Sequence, residues 1–111
     1  MNLECQAHGR VDLVSLPRQL VMANAPDARN AIKQLVTQGH TRLVLDLQAV
    51  DFVDSSGLSV LVSTLKAVQA EKGEVVLLGP TPGVRSLIEL TRLHKVFEIF
   101  EDREAALQRL N

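Results

Sequence analysis

Aromatic residues are scarce in this chain of 111 residues, and tryptophan and tyrosine are absent. The three phenylalanines, Phe52, Phe97 and Phe100, are the only residues of this class, so a folded core has to be built mainly from aliphatic side chains. Hydrophobic residues nevertheless make up 46% of the sequence, which is too high a fraction for a disordered segment. Compact domains commonly contain about 100 to 150 residues. We therefore expect residues 1–111 to form one domain with an aliphatic core.

Cysteine is limited to Cys5, which excludes an internal disulfide and has no neighbours with metal-ligand spacing. We interpret it as a small residue in the first strand. Long hydrophobic runs are absent too, and none approaches the roughly 20 residues needed to cross a bilayer. The N-terminus lacks the charged-then-apolar pattern of a signal peptide. These absences predict a cytoplasmic protein that does not engage a membrane.

An excess of one charge is also missing, since 12 basic and 13 acidic residues leave a net charge of −1. No basic run stands out along the chain. Proteins that bind nucleic acid directly usually carry a basic patch that neutralises phosphates. The charge pattern therefore argues against nucleic acid as a direct partner.

Common catalytic patterns are absent as well. Three histidines fall in different predicted elements without metal-ligand spacing: His8, His40 and His94. No phosphate-binding Gly-x-x-x-x-Gly-Lys-Ser/Thr loop occurs, and no glycine stands two residues before Ser55 or Ser56, as a nucleophile elbow requires. We predict no enzymatic activity, no metal and no cofactor. A hydrolase using either serine is the alternative, and it requires a histidine within hydrogen-bond reach of the hydroxyl.

What is present is a regular alternation of strand and helix patterns. Residues 3–8 and 11–16 predict two strands of a hairpin that turns at Gly9. Apolar and polar residues alternate at 11–16, which predicts that this strand is half-exposed. Buried strands are predicted at 43–47 and 75–78, and a short last strand at 96–100. Strands that alternate with helices indicate an α/β fold with parallel strand pairs after an antiparallel hairpin.

Four helices are predicted from apolar spacing and end signals. The first helix is predicted to begin after Asn24 as N-cap and to end at Gly39, and the second to begin at about residue 56 and to end at Gly73. The third is predicted to begin at Pro82, and the fourth to begin after Asp102 as its cap. The second helix carries one apolar stripe, formed by Leu58, Leu61, Val62, Leu65 and Val68.

The most informative segment joins the strand at 43–47 to the second helix. Ser55 lies there beside backbone N–H groups that lack partners within the helix and carry roughly half a positive charge. A serine in this place is often only an N-cap, worth about 1 kcal/mol, but Asp54 and Ser56 are alternative caps. A neutral hydroxyl can be buried against a partner, whereas a phosphate adds about −1.5 to −2 charges. We interpret Ser55 as a phosphorylation switch.

This segment, residues 50–58 with Asp-Ser-Ser-Gly at 54–57, closely resembles the signature of STAS domains, in particular of bacterial anti-sigma factor antagonists. Residues 43–47, 73–75, 78–84, 87–93 and 96–99 are also similar to that family. The resemblance implies a STAS-type sandwich. Its expected parts are a mixed sheet of four to five strands, about four helices and an N-terminal antiparallel hairpin.

The resemblance also implies a regulator that switches partners. In that family the unphosphorylated antagonist binds an anti-sigma factor, often also a serine kinase of the histidine-kinase-like ATPase fold, and so frees the sigma factor. The kinase phosphorylates the serine after the motif's aspartate, here Ser55, and a PP2C-type phosphatase reverses this. Nucleotide and metal belong to those partners. The residues expected to contact the partner are Asn24, Asp51, Asp54, Ser56, Gly57 and Leu58.

Two positions depart from the family pattern. The family usually carries Gly-x-Leu-Asp before its first helix, and here Arg18 and Val21 replace the glycine and the aspartate. The loss of an acid near the acceptor serine predicts altered kinase recognition. A basic side chain at position 18 predicts a change in what docks beside it.

A second hypothesis keeps the fold and changes the role. Stand-alone STAS proteins also serve as subunits of ABC lipid or solute transporters and as scaffolds of stressosome-like complexes. In such a complex the same helix face would bind its partner constitutively. Phosphorylation of Ser55 distinguishes the two hypotheses, and the sequence leaves both a monomer and a dimer open.

Overall fold

The computed structural model describes residues 3–111. The strands are β1 (Glu4–His8), β2 (Val11–Ser15), β3 (Gln19–Leu20), β4 (Arg42–Asp46), β5 (Phe52–Val53), β6 (Glu74–Leu78) and β7 (Ile99–Phe100). The α-helices are α1 (Ala25–Thr37), α2 (Ser55–Ala70), α3 (Pro82–Leu90) and α4 (Arg103–Leu110), and a 3₁₀ turn spans Leu93–Lys95. The elements alternate along the chain as the sequence predicts.

Five strands form the main sheet in the order β1-β2-β4-β6-β7. The β1 and β2 strands are antiparallel, and the remaining pairs are parallel. Gly9, in the turn between β1 and β2, has a φ of +66°, a conformation that glycine adopts without a steric penalty. The predicted mixed sheet with an N-terminal hairpin and four α-helices is confirmed.

Side chains of β4 alternate between two hydrophobic layers. Leu43 and Leu45 belong to the main core, which α1, α2 and α3 cover, whereas Val44 faces the smaller layer covered by α4. This strand is therefore buried on both faces, as its nearly continuous apolar sequence predicts. Asp102 caps α4 by accepting a hydrogen bond from the Ala105 N–H at 3.1 Å, which confirms its predicted role.

Two predicted helix ends are wrong in detail. Asn24 is the N-cap residue of α1, as predicted, but its side chain makes no capping bond to the helix and bonds instead to the segment before it. At the end of α2 the positive φ falls on Lys72, at 59°. Gly73 has another reason to be glycine, because a Cβ there would lie 2.0 Å from the carbonyl oxygen of Thr41. By contrast Gly39 follows α1 with φ +99°, as predicted.

The predicted last strand at 96–100 is wrong in its first residues. Only Ile99–Phe100 pairs with the sheet, opposite Leu77 and Leu78 at the end of β6. Phe97 is buried in the main core. The chain in front of β7 therefore bends to bury this ring and does not extend along β6.

A second, two-stranded sheet was not predicted. In it β3 and β5 run parallel, with Gln19 opposite Phe52 and Leu20 opposite Val53. This pair brings the segment before α1 against the segment before α2.

No helix within residues 3–111 is long and apolar enough to span a membrane.

Candidate functional site

The first turn of α2 is capped by Asp54. Its backbone is extended, and its Oδ1 atom accepts a hydrogen bond from the Gly57 N–H at 2.9 Å. An aspartate in this position satisfies one of the N–H groups that the first turn leaves free. Of the three candidate caps that the sequence offers, the structure therefore uses Asp54.

The other carboxylate oxygen of Asp54 reaches a different segment. Oδ2 accepts a hydrogen bond from the Met22 N–H at 2.9 Å, in the loop between β3 and α1. The hydrogen bond from Gly57, and to a smaller extent the one from Met22, lowers the pKa of the Asp54 carboxyl from its ordinary value. Both bonds act in this direction because they stabilise the ionised form. Asp54 thus holds the loop at 21–23 against the start of α2.

Ser55 is the first residue of α2, and its side chain is exposed. Within residues 3–111 its hydroxyl has no hydrogen-bond partner, since Asp54 supplies the cap. Ser56 is half-buried, and its carbonyl oxygen accepts a hydrogen bond from the Ser59 hydroxyl at 2.6 Å. The sequence places Ser55 and Ser56 side by side, and the structure makes Ser55 the more exposed of the two.

Gly57 and Leu58 face inward. A Cβ on Gly57 would lie 2.0 Å from the carbonyl oxygen of Leu20, so the absence of a side chain lets β3 lie directly on α2. Leu58 is 9% exposed and belongs to the main core. Gly57 therefore shapes the site through close backbone packing.

Asp51 and Asn24 both bind the β3 segment. The Asp51 carboxylate accepts hydrogen bonds from Nε and Nη2 of Arg18, at 3.0 and 2.7 Å. Asn24 accepts a hydrogen bond from the Val21 N–H at 2.9 Å and donates one to the carbonyl oxygen of Gln19 at 2.8 Å. The two positions that depart from the family pattern, 18 and 21, thus lie in this hydrogen-bonded segment.

A groove of about 630 Å³ lies along α2, with Ser55 among its lining residues. Leu58 and Val62 line it from α2, Leu93 from the 3₁₀ turn, and Arg29 from α1. The remaining lining residues are Ser59, Ser63, Lys66 and Thr91. Among residues 3–111 the groove therefore combines aliphatic side chains and hydroxyls with two cations, and none of the residues that line it there carries a carboxylate.

The three histidines make no hydrogen bond to Ser55 within residues 3–111. His40 Nδ1 lies 2.8 Å from the Asp12 carboxylate, and His8 Nε2 lies 3.2 Å from Arg103 Nη2. His94 Nδ1 is buried without a hydrogen-bond partner in residues 3–111. None of them bonds to Ser55 or Ser56 there, so the histidine that a serine hydrolase requires is not in place. The described residues also contain no cluster of three or more potential metal ligands.

The model of the STAS domain family matches residues 2–106, nearly the whole chain. The chain belongs to the STAS domain family. This STAS domain is 34% identical over 84 residues to BtrV of Bordetella bronchiseptica, a protein named as an anti-sigma factor antagonist. The match covers 76% of this chain and 72% of BtrV.

Two solved structures show the same fold. An anti-sigma factor antagonist from Mycobacterium paratuberculosis is 31% identical and has a TM-score of 0.87, with 98% of this STAS domain and 92% of that chain covered. The Bacillus cell fate determinant SpoIIAA in its phosphorylated form has a TM-score of 0.78 at 21% identity, with 99% and 100% of the two chains covered. The second likeness concerns the fold alone.

Sequence reasoning missed the contacts that join distant parts of this STAS domain. Met22 bonds to Asp54, Arg18 pairs with Asp51, and Arg29 Nη2 donates a hydrogen bond to the Ser59 hydroxyl at 2.9 Å. Each contact links residues about 30 positions apart, so helix and strand periodicity carries no signal for it. The departure of Arg18 from the family pattern was the one sequence signal that pointed to any of these contacts.

Proposed function

We propose that this STAS protein is an anti-sigma factor antagonist that works by partner switching. It binds an anti-sigma factor while Ser55 is unphosphorylated and releases it when Ser55 carries a phosphate. The observation that carries this proposal is the exposed Ser55 hydroxyl at the first position of α2, left free because Asp54 caps the helix. The names of BtrV and of the M. paratuberculosis protein support the same role.

The surroundings of Ser55 suit a protein partner. Met22 is 73% exposed and Phe52 is 56% exposed. The N–H of Met22 bonds to Asp54, and Phe52 belongs to β5, the strand directly before Asp54. Large exposed apolar side chains that are grouped on a surface commonly mark interaction sites. A partner that covers Met22 and Phe52 would also cover the neutral hydroxyl at little cost.

A phosphate changes that interface far more than it changes the domain. The added charge of about −1.5 to −2, buried in a packed interface where the partner offers it no cation, costs about 3–5 kcal/mol, and each 1.4 kcal/mol lowers affinity about tenfold. Within the isolated domain the phosphate is exposed and lies at a helix end that favours negative charge. The existence of a phosphorylated form of SpoIIAA, with a similar fold, supports a modified domain that stays folded.

The proposed partners follow from the family. The anti-sigma factor would also be the serine kinase, with a histidine-kinase-like ATPase fold, and a PP2C-type phosphatase would restore the hydroxyl. Nucleotide and metal would be bound by those proteins. This chain then acts as a binding module, with Asn24, Asp51, Asp54, Ser56, Gly57 and Leu58 shaping or flanking the contact surface.

The direct test compares partner capture by Ser55→Asp, Ser55→Ala and Gln69→Glu. Gln69 is exposed near the other end of α2, so its substitution adds the same charge away from Ser55. We expect an ATPase-fold anti-sigma factor to be captured by wild type, Ser55→Ala and Gln69→Glu, and Ser55→Asp to bind it at least about 100-fold more weakly. Thermal midpoints should differ little among the four proteins.

Intact mass after incubation with that partner and ATP completes the test. One phosphate should appear on wild type and none on Ser55→Ala. Undiminished binding by Ser55→Asp would contradict partner switching and favour a constitutive subunit of a transporter or stressosome-like complex. A phosphate that still enters Ser55→Ala would contradict the assignment of the acceptor.

A further inference from the structure

A hydrogen bond between two helices places a cation beside the Ser55 face of α2. Nη2 of Arg29, on α1, donates to the Ser59 hydroxyl on α2 at 2.9 Å. The Ser59 hydroxyl donates its own proton to the carbonyl oxygen of Ser56 at 2.6 Å. Its lone pairs are thus oriented toward Arg29, and the guanidinium is held against α2.

Ser55 lies one helical turn before Ser59. Residues four apart share a helix face, with Cβ atoms about 5–6 Å from each other. Arg29, Ser55 and Ser59 accordingly line the same groove. The guanidinium of Arg29 therefore lies beside the space that a phosphate on Ser55 would enter.

Arg29 has the donors that a phosphate needs. A guanidinium carries five N–H donors in a planar fork that matches phosphate oxygens, and Ser59 is the one hydrogen-bond partner that the Arg29 side chain has within residues 3–111. Hydrogen bonds between guanidinium and phosphate are stronger than neutral ones. Several donors of Arg29 are consequently free to bind phosphate.

The neighbouring acids are already engaged. Both carboxylate oxygens of Asp54 accept backbone N–H groups, and the Asp51 carboxylate pairs with Arg18. The second cation that lines the groove, Lys66, is nearly two turns beyond Ser59 on α2. Of the two cations that line the groove, Arg29 is thus the one that bonds to Ser59, one helical turn from Ser55.

We propose that Arg29, positioned by Ser59, binds the phosphate of phosphorylated Ser55 within the same chain. The inference rests on the proposed function only in assuming that Ser55 carries a phosphate. When the phosphate pairs with Arg29, this cation is no longer available to a partner that enters the groove. Phosphorylation then both adds a charge and removes a contact, while the ion pair keeps the phosphate ordered on α2.

The test uses the full chain with phosphoserine installed at position 55 during translation, so no kinase is needed. A ³¹P NMR titration measures the second pKa of the phosphate, ordinarily about 6. An adjacent guanidinium favours the dianion and lowers that pKa. We expect Arg29→Gln to raise it by about half a unit, the effect of an exposed ion pair, and Ser59→Ala to raise it by less.

Lys33→Gln is the matched control, because it removes the same charge from an exposed position one turn further along α1. It should shift the phosphate pKa much less than Arg29→Gln. Equal shifts in the two variants, or none in Arg29→Gln, would overturn the proposal. If Arg29→Gln does not fold, an unchanged pKa in Ser59→Ala overturns it instead. Because the measurement omits any partner, its outcome is independent of whether an anti-sigma factor binds.

Discussion

The Asp54 carboxylate joins two loops that are 32 positions apart in sequence, since its Oδ2 atom accepts a hydrogen bond from the Met22 backbone N–H at 2.9 Å. Its Oδ1 atom caps α2 through the Gly57 N–H. One aspartate therefore starts the helix, anchors the loop before α1 and leaves the Ser55 hydroxyl free. We expect each of these roles to be measurable.

Asp54→Asn should make stability at acid pH less sensitive to pH. Because the folded-state pKa of Asp54 is lowered from 3.8, the ionised carboxylate stabilises the fold above that value, and this contribution is lost as pH falls through the folded-state pKa. Thermal midpoints between pH 7 and pH 2.5 should show wild type above Asp54→Asn near neutrality and the gap closing below about pH 4.

Asp102→Asn provides the matched control for that measurement. Asp102 caps α4 with a single backbone N–H bond, to Ala105, whereas Asp54 accepts two. The gap between wild type and variant should therefore be smaller at position 102. A gap at Asp54 that stays constant with pH would show that its charge contributes nothing to folding.

Gly57→Ala should destabilise the domain because the added methyl meets backbone. The new Cβ would lie 2.0 Å from the carbonyl oxygen of Leu20, and overpacking of this kind typically costs about 1–3 kcal/mol. Urea unfolding followed by circular dichroism would measure the loss. The shift of β3 away from α2 should also weaken partner binding.

Gly83→Ala is the control for Gly57→Ala. Gly83 lies in the first turn of α3, and a Cβ there meets no atom within 4 Å. Alanine in a helix is favoured over glycine by roughly 0.5–1 kcal/mol, so this variant should be as stable as wild type or more so. Equal destabilisation by both substitutions would contradict the role of the Leu20 contact.

The Arg18–Asp51 ion pair should contribute little to stability. The side chains are 81% and 57% exposed, and exposed pairs typically contribute about 0.2–1 kcal/mol, less at high salt. A double-mutant cycle of Arg18→Ala and Asp51→Ala in low and high salt would measure the coupling free energy. A coupling well above about 1 kcal/mol that salt does not reduce would contradict this expectation.

Local signals predicted most of the fold. The alternation of apolar and polar residues at 11–16 identified β2 as a strand, but its prediction of a half-exposed strand was wrong, because all residues of β2 before Ser15 are buried. The apolar run at 43–47 identified β4, since residues on both faces of a buried strand are apolar. Asp102 and Gly39 marked helix ends correctly. Asn24 was also placed correctly as the N-cap residue. The bonds of its side chain and the reason for glycine at position 73 were missed, because the atoms that decide them, on Gln19, Val21 and Thr41, come from other segments.

The amino-acid sequence by itself determined the order of strands and helices, the aliphatic core and the position of Ser55 at the start of α2. These follow from periodicity and from the chemistry of neighbouring residues. Only the tertiary structure decided that Asp54 takes the cap, that Arg18 pairs with Asp51, and that Arg29 lies on the Ser55 face. The reason is physical, since those contacts form only when β3 pairs with β5 and α1 packs on α2, which brings together residues that have no local relation.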